Sequence, residues 1–412
     1  MTYNVVFYAI VLIIVLNYLL EQWLDWLNAK NRTAELPEEL QGIYDDEKYK
    51  KSIDYDKVNS KFGFYTGSFN LLLTLVVLFL GGFALADNLA GQISVNPIWR
   101  GIIFFAIIGL VADLLNTPFS IYHTFVIEQK FGFNKTTVKT FILDKLKGWL
   151  ISGLIGGVLL AVILWFYYKT TNMFWIYAWV LTSVFMVFFV MFYSNLIVPL
   201  FNKQEPLEDG ELKDAIQNFA VKAGFKLDNV YKIDGSKRST KANAYFTGLG
   251  SKKRIVLFDT LIKELSVPEI VAVLAHEIGH YKHKHTRQSL VISVFQMGVM
   301  FFLISLFVRI PALSQALGVV VPSFHIGLIA FGILYSPFST IIGLAMNVLS
   351  RKNEYEADAF TRKNFEPEHL INALKKLSVN NLSNLTPHPY YVFFNYSHPT
   401  LLQRIKAMRK VE

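Results

Sequence analysis

Seven apolar stretches, each long enough to cross a bilayer, constrain this chain more than any other feature. They run approximately Tyr3–Leu20, Phe64–Ala86, Gly101–Tyr122, Trp149–Tyr168, Met173–Val198, Leu290–Val308 and Ile326–Leu349. About 20 helical residues cover the hydrocarbon core, and backbone groups there must be paired within their own segment, so each stretch is expected as a helix. Composition agrees: 53% of the 412 residues are hydrophobic and 17% are charged, against about a quarter charged in soluble domains. The first stretch lacks a basic leading region and a small-residue cleavage site, so it reads as a retained span.

Seven spans put the two termini on opposite sides of the membrane, and the distribution of Lys and Arg then sets the orientation. Only Arg100, Lys169 and Arg309 fall in the segments on the N-terminal side. The other 37 of 40 basic residues lie opposite: seven between the first two spans, five between the third and fourth, and 25 in 199–289 and 350–412. Positive charge stays cytosolic. The net charge of +9 therefore reflects loop topology and does not point to nucleic acid. With no cysteine, disulfides, cysteine nucleophiles and Cys-ligated metal are excluded. Four regions result: 1–198 with five spans and charged cytosolic loops, a cytosolic segment 199–289, two spans in 290–349, and a cytosolic segment 350–412.

Chemistry concentrates in the second and last of these. His276-Glu277-Ile278-Gly279-His280 ends a helical pattern beginning at Val267. Residues four apart share a helix face, so both imidazoles can bind one zinc with Glu277 placed as general base. A catalytic zinc needs a third protein ligand and an open position. The metzincin continuation is absent, since His283 and Thr286 stand where Gly and His would be needed. Glu354 and Asp358, four apart on a later helix, return to the same membrane face: one would ligate, the other would hydrogen-bond a ligand imidazole. Glu356 reads as a surface carboxylate.

The cytosolic segment 199–289 is expected to hold a helix over about Gly210–Gly224, a strand near Asn229–Asp234 and a hairpin. The hairpin's arms would be Ala242–Thr247 and Arg254–Asp259, joined through Gly248–Lys252. An exposed strand edge there would suit an extended peptide. The stretch Glu21–Leu27 reads as amphipathic and interfacial, and the charged run Asp45–Lys51 equally as a solvated connecting helix or a binding segment.

Beyond the zinc motif, several segments resemble the membrane-embedded zinc proteases of the type I CAAX prenyl endopeptidase family. They are Phe125-Val126-Ile127-Glu128-x-Lys130-Phe131-Gly132-Phe133-Asn134, Pro199-Leu200-Phe201-Asn202, Asn243-Ala244-Tyr245-Phe246-x-Gly248, and Tyr396-Ser397-His398-Pro399 with Arg404. The charged loop Tyr44–Lys51 is also similar, so the resemblance covers nearly the whole chain. It implies a mainly α, polytopic fold in which seven transmembrane helices surround a water-filled chamber capped by a cytosolic zinc-protease domain. It further implies Zn2+ held by His276, His280 and Glu354, with Glu277 as catalytic base and Asp358 supporting a ligand. Asn243 would contact the substrate backbone, and His398 and Arg404 would act on substrate charge near the metal. His283 and His285 lack a secure place on the ligand face and take structural or surface roles; His123 and His388 have no chemical partner in the sequence. Asp113, inside a span, should face the chamber or a partner.

The function expected is endoproteolysis near the C-terminus of a CAAX-type peptide or protein, prenylated or unprenylated, in a lipid bilayer. Two other readings compete: quality control of damaged membrane proteins, and a transporter or channel, which would place more polar groups at mid-membrane. The Lys/Asn-rich loops favour a bacterial cytoplasmic membrane, and a eukaryotic host would imply the endoplasmic reticulum.

Overall fold

The computed structural model describes residues 3–32, 36, 38–43, 45–225, 230–247 and 254–410. Among them, six stretches are long and apolar enough to span a membrane: Val5–Lys30, Asp46–Phe79, Pro97–Glu128, Val138–Leu200, His285–Phe307 and Phe324–Asn364. The 63-residue stretch Val138–Leu200 holds two of the expected spans. It breaks at a 3-10 turn, Thr171–Met173, where Thr171 takes φ 50°, and the helices on either side pack against each other.

The helices in this part are α1 (Val5–Lys30), α2 (Asp46–Phe79), α3 (Gly82–Ile93), α4 (Pro97–Tyr122), α5 (Val138–Ile151), α6 (Gly157–Thr170) and α7 (Phe174–Leu196). Two of the expected segments belong to longer helices. Glu21–Leu27 lies in the last turns of α1. Asp45 caps α2, and its charged run is the first turns of a 34-residue helix that continues into the membrane stretch. Hydropathy marks where apolar residues stop, whereas a helix stops where capping and backbone chemistry stop it.

Strand β1 (Gln204–Pro206), helix α8 (Glu211–Lys222), β2 (Val230–Ile233), β3 (Ala244–Thr247) and β4 (Arg254–Phe258) follow. They form a sheet in the order β1-β2-β4-β3, with β2 and β4 parallel and the other pairs antiparallel. The expected hairpin arms pair in register from Ala244↔Leu257 to Thr247↔Arg254; the turn Gly248–Lys252 lies outside the described residues. Strands β1 and β3 are the edges of this sheet. Next come α9 (Asp259–Glu264), α10 (Val267–Lys282), α11 (His285–Phe307), α12 (Pro311–Ala316) and α13 (Phe324–Asn364). The chain ends in α14 (Pro367–Asn380), α15 (Pro389–Asn395) and α16 (Leu401–Arg409). Helix α13 runs 41 residues, so the last span and the Glu354 helix are one rod.

Neighbour contacts among the long helices close a ring: α1 meets α2, α2 meets α3, α3 meets α4, α4 meets α6, α6 meets α7, α7 meets α11, α11 meets α13, and α13 returns to α1. Only 6–17% of the residues in each spanning window are buried, which a solid bundle would exceed. The buried ones gather at one end. Phe7 and Ile10 of α1, Leu78 of α2, Phe104 of α4, and Ile326 and Ala330 of α13 form one cluster, and Leu164, Phe174, Ile304, Val308 and Phe324 form another. There α13 also meets α4 across the ring. At that end Arg100 donates twice to buried Asp87 (2.8 and 2.6 Å), and His325 lies 2.8 Å from the same carboxylate. The ring is packed shut at the end remote from Glu354 and sparse through the rest.

The sheet domain joins the ring through residues of the resemblance motifs. Glu128 accepts from Tyr55 and from Lys241 Nζ (2.9 Å). Arg238 donates to both oxygens of Asp144 (2.8 and 2.9 Å) and to Asn202 Oδ1. Asp113 accepts from Lys145 Nζ (2.7 Å) and Trp149 Nε1 (2.9 Å), the partners its intramembrane charge requires.

A Cβ on Gly327 would lie 2.4 Å from the Val308 carbonyl oxygen. Gly327→Ala should therefore push α13 off the end of α11 and cost about 1–3 kcal/mol. Thermal unfolding of the detergent-solubilised protein measures this, and an unchanged midpoint would contradict such close packing.

Candidate metal centre

Helix α10 is set up by its ends. Ser266 and Glu269 form a capping box with Pro268 in the first turn, and Lys376 of α14 pairs with Glu269 (2.7 Å). Burial lowers the Glu269 carboxyl's tendency to ionise, but Lys376 and the Ser266 contacts more than offset it, holding its pKa below the usual range. From there Ile270, Val271, Ala272, Leu274, Ala275 and Ile278 are all buried, packing the helix into a core shared with α8, β2 and β4. A surface helix would have one apolar stripe; this one is enclosed. Its last turns meet α13 at Gly279, where a Cβ would fall 3.0 Å from Ala357 Cα and 3.1 Å from its carbonyl oxygen. The missing side chain lets the two backbones approach.

This approach brings three side chains together. His276 Nε2 and His280 Nε2 face each other at 3.2 Å. Glu354 Oε2 lies 3.3 Å from the first and Oε1 3.2 Å from the second. Glu354 is 4% exposed, and its Oε2 has no hydrogen-bond partner. Lone pairs this close repel unless a proton or a cation sits among them. A tetrahedron with ligand bonds of about 2.0–2.1 Å has edges of roughly 3.3–3.4 Å, so the donor set fits one small divalent cation. Charge agrees as well: Glu277, Glu354 and Asp358 balance Arg404 plus such a cation.

Around these lie the supports. His276 Nδ1 donates to Asp358 Oδ1 at 2.9 Å, leaving Nε2 free to ligate. Arg404, also buried, donates Nε to Asp358 Oδ2 (2.9 Å) and Nη2 to Oδ1 (2.6 Å), and its Nη1 is 3.5 Å from Glu354 Oε2. Burial opposes the Arg404 charge, but the Asp358 and Glu354 carboxylates raise its pKa. The sequence reading put Arg404 on substrate; the geometry commits its donors to Asp358 and leaves it little exposed surface for a ligand. His398 Nε2 lies 3.3 Å from Glu354 Oε1 with its side chain 63% exposed, at the rim of a cleft of about 380 Å³ lined by Asn395–Leu401, Ser378 and Ser383. Glu277 is half-buried beside the ligands. Asn243 is exposed at the start of β3, its side-chain oxygen turned to Ala244 N (2.8 Å), and no hydrogen bond or ion pair among the described residues joins it to the cluster.

His285 is the residue that spacing missed. Helix α10 stops at Lys282, and Lys284 takes φ 61°. The resulting turn swings the buried His285 ring back, with Nδ1 2.9 Å from His280 Nδ1 and Nε2 3.0 Å from Glu356 Oε2. Glu356, expected as a surface carboxylate, pairs with Lys352 one turn earlier (3.7 Å) and is also engaged by His285. His388 instead caps α15, and His123 meets Asn59 (3.1 Å).

Comparison with known proteins accords with this geometry. Residues 25–203 match the model described as CAAX prenyl protease N-terminal, five membrane helices, and residues 206–412 match Peptidase family M48. CAAX prenyl protease 1 of Saccharomyces cerevisiae is 36% identical over 91% of this chain and 88% of its own length. The CAAX prenyl protease 1 homolog of Homo sapiens is 33% identical over 92% and 90%. The chain belongs to peptidase family M48. It also superposes on a crystal structure of S. mikatae Ste24p with a TM-score of 0.92, at 34% identity, over 98% of this chain and 99% of that one. This M48 protein is accordingly a multi-pass membrane metalloprotease acting on peptide or protein substrates.

A cation held at His276 Nε2 would make metal loading depend on pH. Burial and the Arg404 charge push its pKa down, yet Asp358 and Glu354 outweigh them and raise it to about 9. Binding a cation at Nε2 must then release a proton below that pH, so affinity falls as pH drops, by up to about tenfold per unit from this group. Chelator competition across pH 6–9 checks it; a flat profile would contradict the assignment of His276 as a ligand.

Proposed function

We propose that this protein is a zinc endopeptidase that cleaves near the C-terminus of CAAX-type, prenylated substrates, with its active site on the cytosolic side of the membrane. The observation that carries the reading is the triangle of His276, His280 and Glu354, with edges of 3.2–3.3 Å, set beneath a helix ring that is closed at its far end. Zinc fits the donor set of two imidazoles and one carboxylate. When bound, it would supply Lewis acidity to the scissile carbonyl and acidify water in the site.

The chain's own groups do the rest. Glu277 takes a proton from the attacking water at a carboxylate oxygen and returns it to the leaving amine nitrogen. His398, the exposed imidazole beside Glu354, donates to the carbonyl oxygen as negative charge develops, worth about 3 kcal/mol if it matches other single oxyanion donors. Edge strand β3 can take an extended peptide by main-chain pairing, with Asn243 at its entrance holding the substrate backbone. Asp358 holds His276 in its tautomer, and Arg404 holds Asp358. The chamber enclosed by the ring receives the remainder of the substrate, and Lys- and Arg-rich segments keep the metal side cytosolic. The CAAX assignment is supported by the 33–36% identical relatives, which are CAAX prenyl proteases.

Glu277→Gln should retain metal and abolish hydrolysis of a prenylated CAAX peptide, whereas His398→Ala should lower kcat by about a hundred- to a thousandfold with metal content unchanged. Metal analysis alongside a peptide-cleavage assay reads both. Cleavage of an unprenylated misfolded membrane protein in preference to the CAAX peptide would favour the quality-control reading.

A further inference from the structure

We propose that His285 and Glu356 form a positioning pair for His280, the counterpart on that imidazole of what Asp358 does for His276. The inference rests on the reading of His280 as a metal ligand. Nothing in the spacing of the HExxH motif requires it, because it depends on how the chain turns after Lys282.

The contacts fix the tautomers of both imidazoles. His280 Nε2 faces His276 Nε2 and Glu354 Oε1 at 3.2 Å each, so in the ligating state Nε2 offers its lone pair and Nδ1 carries the hydrogen. That Nδ1 lies 2.9 Å from His285 Nδ1. One of the two nitrogens must donate and the other accept, so His285 Nδ1 accepts. Its own hydrogen then sits on Nε2, which donates to Glu356 Oε2 at 3.0 Å. A single arrangement of hydrogens satisfies every contact, ending on a carboxylate whose other oxygen is 3.7 Å from Lys352 Nζ. His285 is 5% exposed, and the ring of His283 stacks parallel to it at 5.5 Å, so its orientation is fixed by packing as well as by hydrogen bonds.

His283, His285 and Glu356 also place three donor atoms within 4.8 Å of one another, which suggests a second cation site. The same tautomer logic opposes it. A cation on His285 Nε2 would move the hydrogen to Nδ1 and set two N–H donors against each other at 2.9 Å. An outer cation therefore loosens His280, and the arrangement observed is the one that supports the inner site.

The test compares zinc affinity and stoichiometry, by chelator competition on the full-length detergent-solubilised protein, for wild type, His285→Leu, His285→Asn, Glu356→Gln and His280→Ala. In His285→Asn the amide oxygen can stand near the lost Nδ1 and accept from His280. His285→Leu should weaken zinc about ten- to a hundredfold, in line with the loss of a hydrogen-bonding partner behind a ligand. His285→Asn should recover most of that loss, and Glu356→Gln should weaken zinc by less than His285→Leu. In the His280→Ala background, His285→Leu should add no further loss. Unchanged affinity in His285→Leu, or equal loss in the Leu and Asn variants, would overturn the proposal in favour of packing alone. A second zinc equivalent lost in His283→Ala would overturn it in favour of an outer cation site. The parent reading fails separately, if His280→Ala itself leaves zinc affinity intact.

Discussion

The close approach of α10 and α13 at Gly279 and Ala357 is the contact on which the site depends. With Gly279 lacking a side chain and a Cβ there falling 3.0 Å from the opposing backbone, the helices come near enough for a carboxylate on one to reach two imidazoles on the other. Each helix is anchored elsewhere. Helix α10 is enclosed by the sheet domain and tied to α14 through Glu269 and Lys376, and α13 is rooted in the packed far end of the ring through Phe324, Ile326 and Ala330. The candidate ligands are therefore carried on two helices with independent footings, which keeps their geometry from drifting.

That arrangement concentrates charge where water is scarce. Glu354 and Asp358, both nearly inaccessible, could not stay ionised alone. Arg404 compensates one of them by a bidentate pair, and the other is left with an oxygen that no donor satisfies. The centre is built to be completed by a cation, and the polar groups behind the ligands hold the imidazoles in the tautomer that accepts one.

Much of this was legible in the sequence. The i,i+4 spacing of His276 and His280 fixes their common face, and the return of Glu354 to the same membrane side follows from the spans between them. Other features were not legible, for physical reasons. Helical periodicity extrapolated through Lys282 puts His285 off the face, and only the left-handed backbone at Lys284 brings it back. Arg404 could be recognised near the site, but its bidentate commitment to Asp358 depends on a long-range fold contact. The continuity of α2 and α13 through their charged ends was hidden because hydropathy falls where the helix does not. The division of the ring into a packed end and a sparse remainder emerged only from contacts between residues such as Phe104, Leu313 and Ile326, far apart in sequence.

The most direct measurement of the central claim is X-ray absorption spectroscopy of the zinc-loaded protein, wild type and Glu354→Gln. The account predicts one zinc per chain with two imidazole nitrogens and one carboxylate oxygen at about 2.0–2.1 Å, plus one light atom from outside the protein. The oxygen contribution from the protein should vanish in the variant, along with most of the bound metal. A shell of three imidazoles, or a spectrum and loading unchanged by Glu354→Gln, would contradict it.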